Sequence, residues 1–93
     1  MKYEWSRRAL SDLHELTQGF ENPETASRIK ERIKGAARTL AAFPRMGAYL
    51  SQFAPDEFRR LIVDDYEIRY LIDGDMMIIS NIFHTRQDRI YFQ

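Results

Sequence analysis

The side chains best suited to chemistry in this sequence fall in its last third, near the ends of predicted strands. They are five arginines, one histidine and one tyrosine: Arg59, Arg60, Arg69, His84, Arg86, Arg89 and Tyr91. Metal-free RNA cleavage needs a base for the ribose hydroxyl, cations for the phosphorane charge and an acid for the leaving oxygen. Imidazole ordinarily exchanges protons near neutral pH. In a nuclease, His84 would be the acid or base, Arg69 and Arg86 would hold phosphate, and Tyr91 is the remaining candidate.

The charge of this segment disfavours nucleic-acid binding. From Phe58 onward the five arginines stand against six acids, and no lysine follows Lys34. Affinity for nucleic acid grows with each phosphate that a protein neutralises, so a nearly balanced segment makes a poor RNA-binding face. Structural roles compete as well: Arg69 can pair with Glu67 or another acid on its sheet, and Arg86 can form a weak surface pair with Asp88.

Length and composition predict one α+β domain spanning residues 1–93, with enough apolar mass (44% of residues) for a core. The chain has no cysteine, which removes disulfides, thiol catalysis and cysteine-ligated metals. We expect no metal and no cofactor. The first residues are charged and no apolar run approaches membrane-spanning length, so the prediction is a cytoplasmic protein with no membrane contact.

Positive charge is concentrated in one helical segment although the formal net charge is zero. Between Thr25 and Arg45 a single acid, Glu31, stands against six bases: Arg28, Lys30, Arg32, Lys34, Arg38 and Arg45. Surface helices are commonly rich in lysine and arginine, so a solvated face is the favoured interpretation. A binding surface is the alternative.

Periodicity predicts a strand, two helices and three strands. Lys2 to Trp5 alternate as in a half-buried strand. Ser6 can cap a helix that ends near Gln18, and Asn22-Pro23 can start a second helix that stops at Phe43-Pro44. The following segment up to Pro55-Asp56 is predicted to be a loop with one short element.

The three predicted strands complete the fold. They run from Phe58 to Val63, from Tyr66 to Ile72 and from Met76 to His84, with Asp64-Asp65 and Asp73-Gly74-Asp75 as hairpin turns. In the last strand, simple alternation groups Met76, Ile78 and Ile82 on one face and Met77, Ile79 and Phe83 on the other. The expected architecture is β-α-α-β-β-β, an antiparallel helical hairpin on one face of a mainly antiparallel four-stranded sheet. Met46, Met76 and Met77 are predicted to fill the core.

Several short motifs in this order resemble the RelE/ParE superfamily of toxins. They are Ala9 with Asp12-Leu13, Leu40 with Pro44 and Gly47, Phe58-Arg59, Tyr66-Glu67-Ile68-Arg69-Tyr70, and Ile82-Phe83-His84-Thr85-Arg86. Together they cover nearly the whole chain. The resemblance implies a type II toxin that is neutralised by a cognate antitoxin, in a toxin–antitoxin hetero-oligomer, and that acts in growth inhibition and plasmid stabilisation.

The superfamily has two branches with different targets. Resemblance to RelE implies an enzyme that cleaves mRNA in the ribosome, whereas resemblance to ParE implies a non-enzymatic inhibitor of DNA gyrase. The strand lysines typical of the nucleases are missing here, and Thr85 stands where one nuclease group has a tyrosine. The ParE-like branch is therefore favoured, with a target-contact surface made of Arg59, Arg69, His84, Arg86 and Arg89. A ribosome-dependent endonuclease and an inactive, interaction-only relative remain the alternatives.

Overall fold

The computed structural model describes residues 1–86 and contains two helices and five strands. The elements in chain order are β1 (Lys2–Trp5), α1 (Arg7–Gln18), α2 (Pro23–Ala42), β2 (Ala48–Tyr49), a 3-10 turn (Ser51–Phe53), β3 (Glu57–Val63), β4 (Tyr66–Asp73) and β5 (Met76–His84). The predicted α+β class, element order and helical hairpin are confirmed.

The sheet has the strand order β1-β5-β4-β3-β2. Strand β1 runs parallel to β5, and all other neighbours are antiparallel. The sheet has five strands rather than the four predicted, and the additional strand, β2, lies within the segment predicted as a loop with one short element. Two residues are too few to show strand periodicity in a sequence, and β2 becomes a strand only by pairing with Arg59 and Arg60.

Both helices begin at the caps that the sequence predicts. The Ser6 side chain accepts a hydrogen bond from the Ala9 N–H (3.0 Å), and the Asn22 side chain accepts one from the Glu24 N–H (2.9 Å). These bonds satisfy backbone donors that have no partner within the first helical turn. Helix α2 ends where Phe43 N–H donates to the Thr39 carbonyl (2.9 Å), just before Pro44.

The core lies between the helices and one face of the sheet, here called the helix-covered face. Ala9 and Leu13 of α1 and Ile33, Ala37 and Leu40 of α2 pack on inward side chains of the sheet, namely Tyr66, Ile68, Tyr70, Ile72, Met77, Ile79 and Ile82. Met77 is fully buried as predicted, but Met46 is exposed, so its assignment to the core was wrong. It lies in the turn after α2, where its side chain is 49% exposed.

A bulge in β5 changes which of its side chains face the helices. Tyr70 pairs with Ile79 but Arg69 pairs with Asn81, so Ser80 is an extra residue. The buried side chains of β5 are therefore Met77, Ile79 and Ile82, all on the helix-covered face. The prediction that Ile82 shares a face with Met76 and Ile78 was wrong. An inserted residue reverses the alternation beyond it.

Beyond Ile79, where β5 no longer pairs with β1, polar side chains at the start of α1 and within it bind the backbone of β5. The Ser6 hydroxyl donates to the Ser80 carbonyl (2.9 Å), and the Asp12 carboxylate accepts from the Ile82 N–H (2.9 Å). Arg8 donates to the other oxygen of Asp12 (2.9 Å). The carboxylate thus takes the place of a neighbouring strand and holds the end of β5 against α1.

Tyr70 anchors the turn that follows α2. Its hydroxyl donates to the Pro44 carbonyl (2.7 Å) and accepts from the Gly47 N–H (3.0 Å). Burial raises the pKa of the Tyr70 phenol above its usual value. Gly47 is packed so tightly that a Cβ there would lie 2.7 Å from the Arg60 carbonyl oxygen and closer still to the Tyr70 hydroxyl. Glycine is therefore required at this crossing.

Candidate target-contact surface

Strand register places His84 and Arg69 on opposite faces of the sheet. His84 pairs with Tyr66, whereas Arg69 pairs with Arg60 and Asn81. Directly opposed residues of antiparallel strands share a face. Tyr66 belongs to the core, and its ring meets His84 edge-on at 5.4 Å between centroids. Arg69 lies on the other side, here called the open face. The two residues expected to act together in a nuclease are not brought together.

On the open face, Arg69 forms a buried ion pair with Glu67. The Arg69 Nη2 to Glu67 Oε2 distance is 2.8 Å, and only 8% of Arg69 and 1% of Glu67 are exposed. Arg60 reaches the second oxygen of Glu67 at 3.4 Å. The predicted pairing of Arg69 with Glu67 is confirmed. Because its charge is compensated and its side chain covered, Arg69 offers little positive field to a phosphate.

Aromatic rings enclose the Arg69 guanidinium from two elements. Its central carbon lies 4.8 Å from the Phe83 ring centroid and 5.6 Å from that of Phe53. Phe53, from the 3-10 turn, also packs against Phe58 of β3 at 5.2 Å. Stacking on aromatic faces stabilises a guanidinium and fixes its orientation. Arg69 is thus a rigid part of the open face.

Arg59 is held in a second cluster, between β2, β3 and the turn after α2. Its Nε donates to Glu57 (2.8 Å), and its Nη1 donates to the Gly47 carbonyl (2.7 Å). The guanidinium also lies 5.6 Å from the Tyr49 ring centroid. Hydrogen bonds from Arg59 and then Arg45 lower the pKa of Glu57. These contacts give Arg59 a structural role in fastening the edge strand.

Among the candidate arginines within residues 1–86, the exposed ones are Arg60, from the nuclease candidates, and Arg86, from the predicted contact set. The Arg60 side chain is 46% exposed on the open face. Arg86 is exposed beyond β5, and its backbone N–H donates to His84 Nδ1 (3.2 Å). Arg89 and Tyr91 were also predicted, and they lie outside the described residues.

The open face combines arginine with apolar and aromatic side chains. Arg60 is flanked on β3 by Phe58 and Ile62, and Ile62 is largely exposed. Phe83 of β5 lies across β4 from them. Aromatic residues and arginine are enriched at protein–protein contacts, where they supply most of the binding energy. This chemistry suits a protein target.

Within residues 1–86 no group of three or more His, Asp or Glu side chains is arranged to hold a metal ion. Neither helix in that range is long and apolar enough to cross a membrane.

Two buried acids with important contacts escaped the sequence-based site prediction. The sequence predicts Glu67 only as an ion-pair partner of Arg69, whereas the structure shows it fully buried between two arginines. Its spacing two residues before Arg69 places both on one strand face. The sequence marks Asp12 only as part of a family motif. No local signal reveals its bond to Ile82, because the two residues are far apart in sequence.

The sequence matches a family model described as the ParE toxin of type II toxin–antitoxin systems, over residues 3–89. A curated relative, Toxin RelE2 of Caulobacter vibrioides, is 34% identical over 84 residues, which cover 87% of this chain and 91% of the relative. The names of the model and the relative refer to different branches of one superfamily.

Solved structures show the same fold. A chain from the chromosomal ParDE toxin–antitoxin system of P. aeruginosa superposes with a TM-score of 0.76 at 21% identity, covering 90% of this chain and 95% of that one. A chain of the RelB–RelE antitoxin–toxin complex of Methanococcus jannaschii gives 0.59 at 18% identity, covering 96% and 98%. At these identities the likeness establishes the architecture.

Proposed function

This chain belongs to the ParE toxin family of type II toxin–antitoxin systems, within the RelE/ParE superfamily, and from that premise we propose that it arrests growth by inhibiting DNA gyrase. The proposed action is binding to a cytoplasmic protein target, with no catalytic step and no cofactor. We assign to target contact the exposed Arg60, together with Arg86 and Arg89 of the predicted contact set. Of the other predicted contact residues, Arg69 lies beside Arg60 on the open face, whereas Arg59 and His84 pair with core residues of the helix-covered face.

One observation carries this choice: the residues a nuclease would combine lie on opposite faces of the sheet. His84 packs on Tyr66 at the helix-covered face, whereas Arg69 is paired with Glu67 on the open face. An acid–base group and its phosphate-binding cation must approach the same scissile bond. The aromatic and arginine side chains of the open face favour contact with protein.

Induced expression in a bacterial host carrying a DNA-damage reporter tests the proposal. A gyrase inhibitor of this kind arrests growth, induces the reporter and leaves cleaved DNA, while mRNA stays intact. Purified gyrase then supplies a direct measurement, because supercoiling activity should fall as the toxin is added. Growth arrest with mRNA cleavage and unchanged supercoiling would instead identify a ribosome-dependent endonuclease.

The endonuclease remains a second candidate because the curated relative is named Toxin RelE2. In that case His84, Arg69, Arg86 and Tyr91 would form the catalytic set. Absence of any growth effect from a folded, well-expressed protein would favour the third candidate, a relative that serves only in interactions.

We further propose that a cognate antitoxin neutralises this chain in a hetero-oligomer. Both solved neighbours come from toxin–antitoxin systems. Within residues 1–86 β1 has no strand partner besides β5, so its outer edge can accept an added strand, and the helical hairpin offers a surface for helix docking. Coexpression with the product of an adjacent small reading frame should relieve growth arrest and yield a copurifying complex. Failure of both would contradict this partner.

A further inference from the structure

The open face carries three rows of side chains that cross β3, β4 and β5. The first row, nearest the β3–β4 turn, is Ile62, Glu67 and Phe83, the middle row is Arg60, Arg69 and Asn81, and the third row is Phe58, Leu71 and Ile78. Within residues 1–86 both helices pack on the other face. The middle row therefore lies between two rows whose members on β3 and β5 are all apolar.

Arg60 holds the Glu67 carboxylate loosely, whereas Arg69 holds it firmly. Arg60 Nη1 lies 3.4 Å from Glu67 Oε1, and Arg69 Nη2 lies 2.8 Å from Glu67 Oε2. The Arg60 side chain is 46% exposed, against 2% for Glu67. Within residues 1–86 Arg60 reaches no other carboxylate. A long contact made by a solvated side chain contributes little to stability, so Arg60 can exchange its partner.

Release of Arg60 would leave the buried carboxylate compensated. A buried carboxylate without a donor is costly, but Arg69 stays in contact with Glu67 when Arg60 turns outward. The exchange therefore costs little within the chain. An incoming carboxylate gains a planar guanidinium that can donate two parallel hydrogen bonds. Arg60 thus offers a site for a carboxylate on an otherwise apolar part of the open face.

The side chains that flank Arg60 along β3 are apolar. Phe58 and Ile62 lie two residues before and after it, about 6.6 Å away along the strand. Ile62 is 49% exposed and Phe58 is half-buried. A partner that covers these two side chains would also exclude water from an ion pair at Arg60, and the loss of water strengthens the attraction. A central arginine enclosed by apolar contacts is typical of the energetic centres of protein interfaces.

We propose that the open face binds an extended segment of the target protein with the pattern apolar-x-acidic-x-apolar. Side chains two positions apart in an extended chain share a face at the spacing found along β3. The acidic side chain pairs with Arg60, and its apolar neighbours pack on Phe58 and Ile62. The inference rests on the proposed function in identifying the target with gyrase, and it adds the chemistry of the segment recognised. A nucleic acid would depend on phosphate contacts, which one exposed arginine supplies only weakly.

Two labelled synthetic peptides test the surface directly. One carries leucine, glutamate and leucine at alternate positions, and the other has glutamine in place of the glutamate. Fluorescence anisotropy with the full chain at low salt should show about tenfold tighter binding of the glutamate peptide, and salt should reduce the difference by screening the charges. Labelled single-stranded DNA provides the nucleic-acid comparison, and sedimentation of the chain alone reports self-association.

Matched variants localise the binding. Arg60→Gln should remove the preference for glutamate, whereas Arg7→Gln, the same change at an exposed position of α1, should leave the preference intact. Ile62→Ser should weaken both peptides by about fivefold, whereas Leu10→Ser, at a side chain of α1 that is 54% exposed, should not. Circular dichroism confirms that each variant is folded.

Equal binding of the two peptides, equal effects of the variants and their controls, or tighter binding of the DNA would each overturn the proposal. Self-association that Arg60→Gln abolishes would also overturn it, because the open face would then belong to a second copy of the chain.

Inhibition of purified gyrase is measured separately with Arg60→Gln and should be weakened. Undiminished inhibition would overturn this inference and leave the gyrase proposal standing. An Arg60-dependent preference for the glutamate peptide, in a chain that does not inhibit gyrase, would reject the gyrase proposal and leave the chemistry of the open face standing.

Discussion

Glu67 and Arg69 lie two residues apart on the central strand β4 and form a buried ion pair, Oε2 to Nη2 2.8 Å, on the sheet face opposite the helices. The pair explains why an arginine in a predicted contact site is almost inaccessible. A buried carboxylate needs compensating donors, and here Arg69 and Arg60 supply them. The open face is thus organised from within by a charge pair covered by phenylalanines.

Glu67→Ala should lower the free energy of unfolding by about 3 kcal/mol or more, because it leaves the Arg69 charge buried without its carboxylate. Urea denaturation followed by circular dichroism measures the loss. Arg60→Ala, which removes the weaker and more exposed contact, should cost less than about 1 kcal/mol. The double variant Glu67→Met with Arg69→Met should recover much of the stability, and additive losses would contradict the coupling of the pair.

Asp12→Ala should destabilise the chain by about 1–3 kcal/mol, because the buried Ile82 N–H loses its acceptor. Glu15→Ala, an exposed position in the same helix, should change stability by less than about 0.5 kcal/mol. Hydrogen exchange at the Ile82 amide should accelerate selectively in the Asp12 variant. Unchanged exchange there would show that the carboxylate does not hold the end of β5.

Gly47→Ala should cost about 1–3 kcal/mol, because its Cβ would overlap the Arg60 carbonyl and the Tyr70 hydroxyl. Combining it with Tyr70→Phe removes one of these overlaps but not the carbonyl, so stability should stay below that of Tyr70→Phe alone. Gly19→Ala is the control, since nothing lies within 4 Å of a Cβ at that position. Thermal unfolding should show a lower midpoint for Gly47→Ala and no loss for Gly19→Ala.

Acid should weaken the attachment of α2 to the β3–β4 turn. The pKa of Asp64 is lowered in the folded chain by the hydrogen bond from Arg32, so its contribution to stability is present above the usual carboxyl pKa of 3.8. That contribution is lost as the pH falls through the lower folded pKa. Asp64→Asn should reduce the fall in the free energy of unfolding at acid pH. Asparagine tolerates the positive φ of this position, so the backbone of the turn can stay unchanged. Asp75→Asn, in the next hairpin turn, should leave the acid limb nearly unchanged.

His84→Ala should leave growth arrest intact if the chain inhibits gyrase, because the imidazole packs on Tyr66 and performs no proton transfer. Deletion of residues 84–93 should abolish arrest, since it removes the predicted contact arginines Arg86 and Arg89. For both variants, growth is measured after induction, and expression and folding are checked in parallel. Loss of toxicity in a folded His84→Ala protein would restore the nuclease hypothesis.

Local sequence signals were sufficient for the order and limits of the main elements. Ser6 and Asn22-Pro23 mark helix starts because caps act within one turn, and Asp73-Gly74-Asp75 marks a hairpin because a tight turn needs a residue at positive φ, here Gly74. Motif order also indicated the family. These inferences depend on neighbours within a few residues, where side-chain chemistry and backbone preference act directly.

Tertiary structure decided which candidate residues meet. Simple alternation along β5 would place His84 on the same face as Met76 and Ile78, together with Arg69; the extra residue Ser80 reverses the alternation and turns His84 toward Tyr66. No local sequence signal marks that bulge, because it forms where the pairing between β5 and β1 ends. There the Ser80 carbonyl accepts a hydrogen bond from the Ser6 hydroxyl, and the Ile82 N–H donates one to the Asp12 carboxylate. The sequence alone determined the elements and the family, and long-range pairing determined the site, since register is set by contacts between residues far apart in the chain.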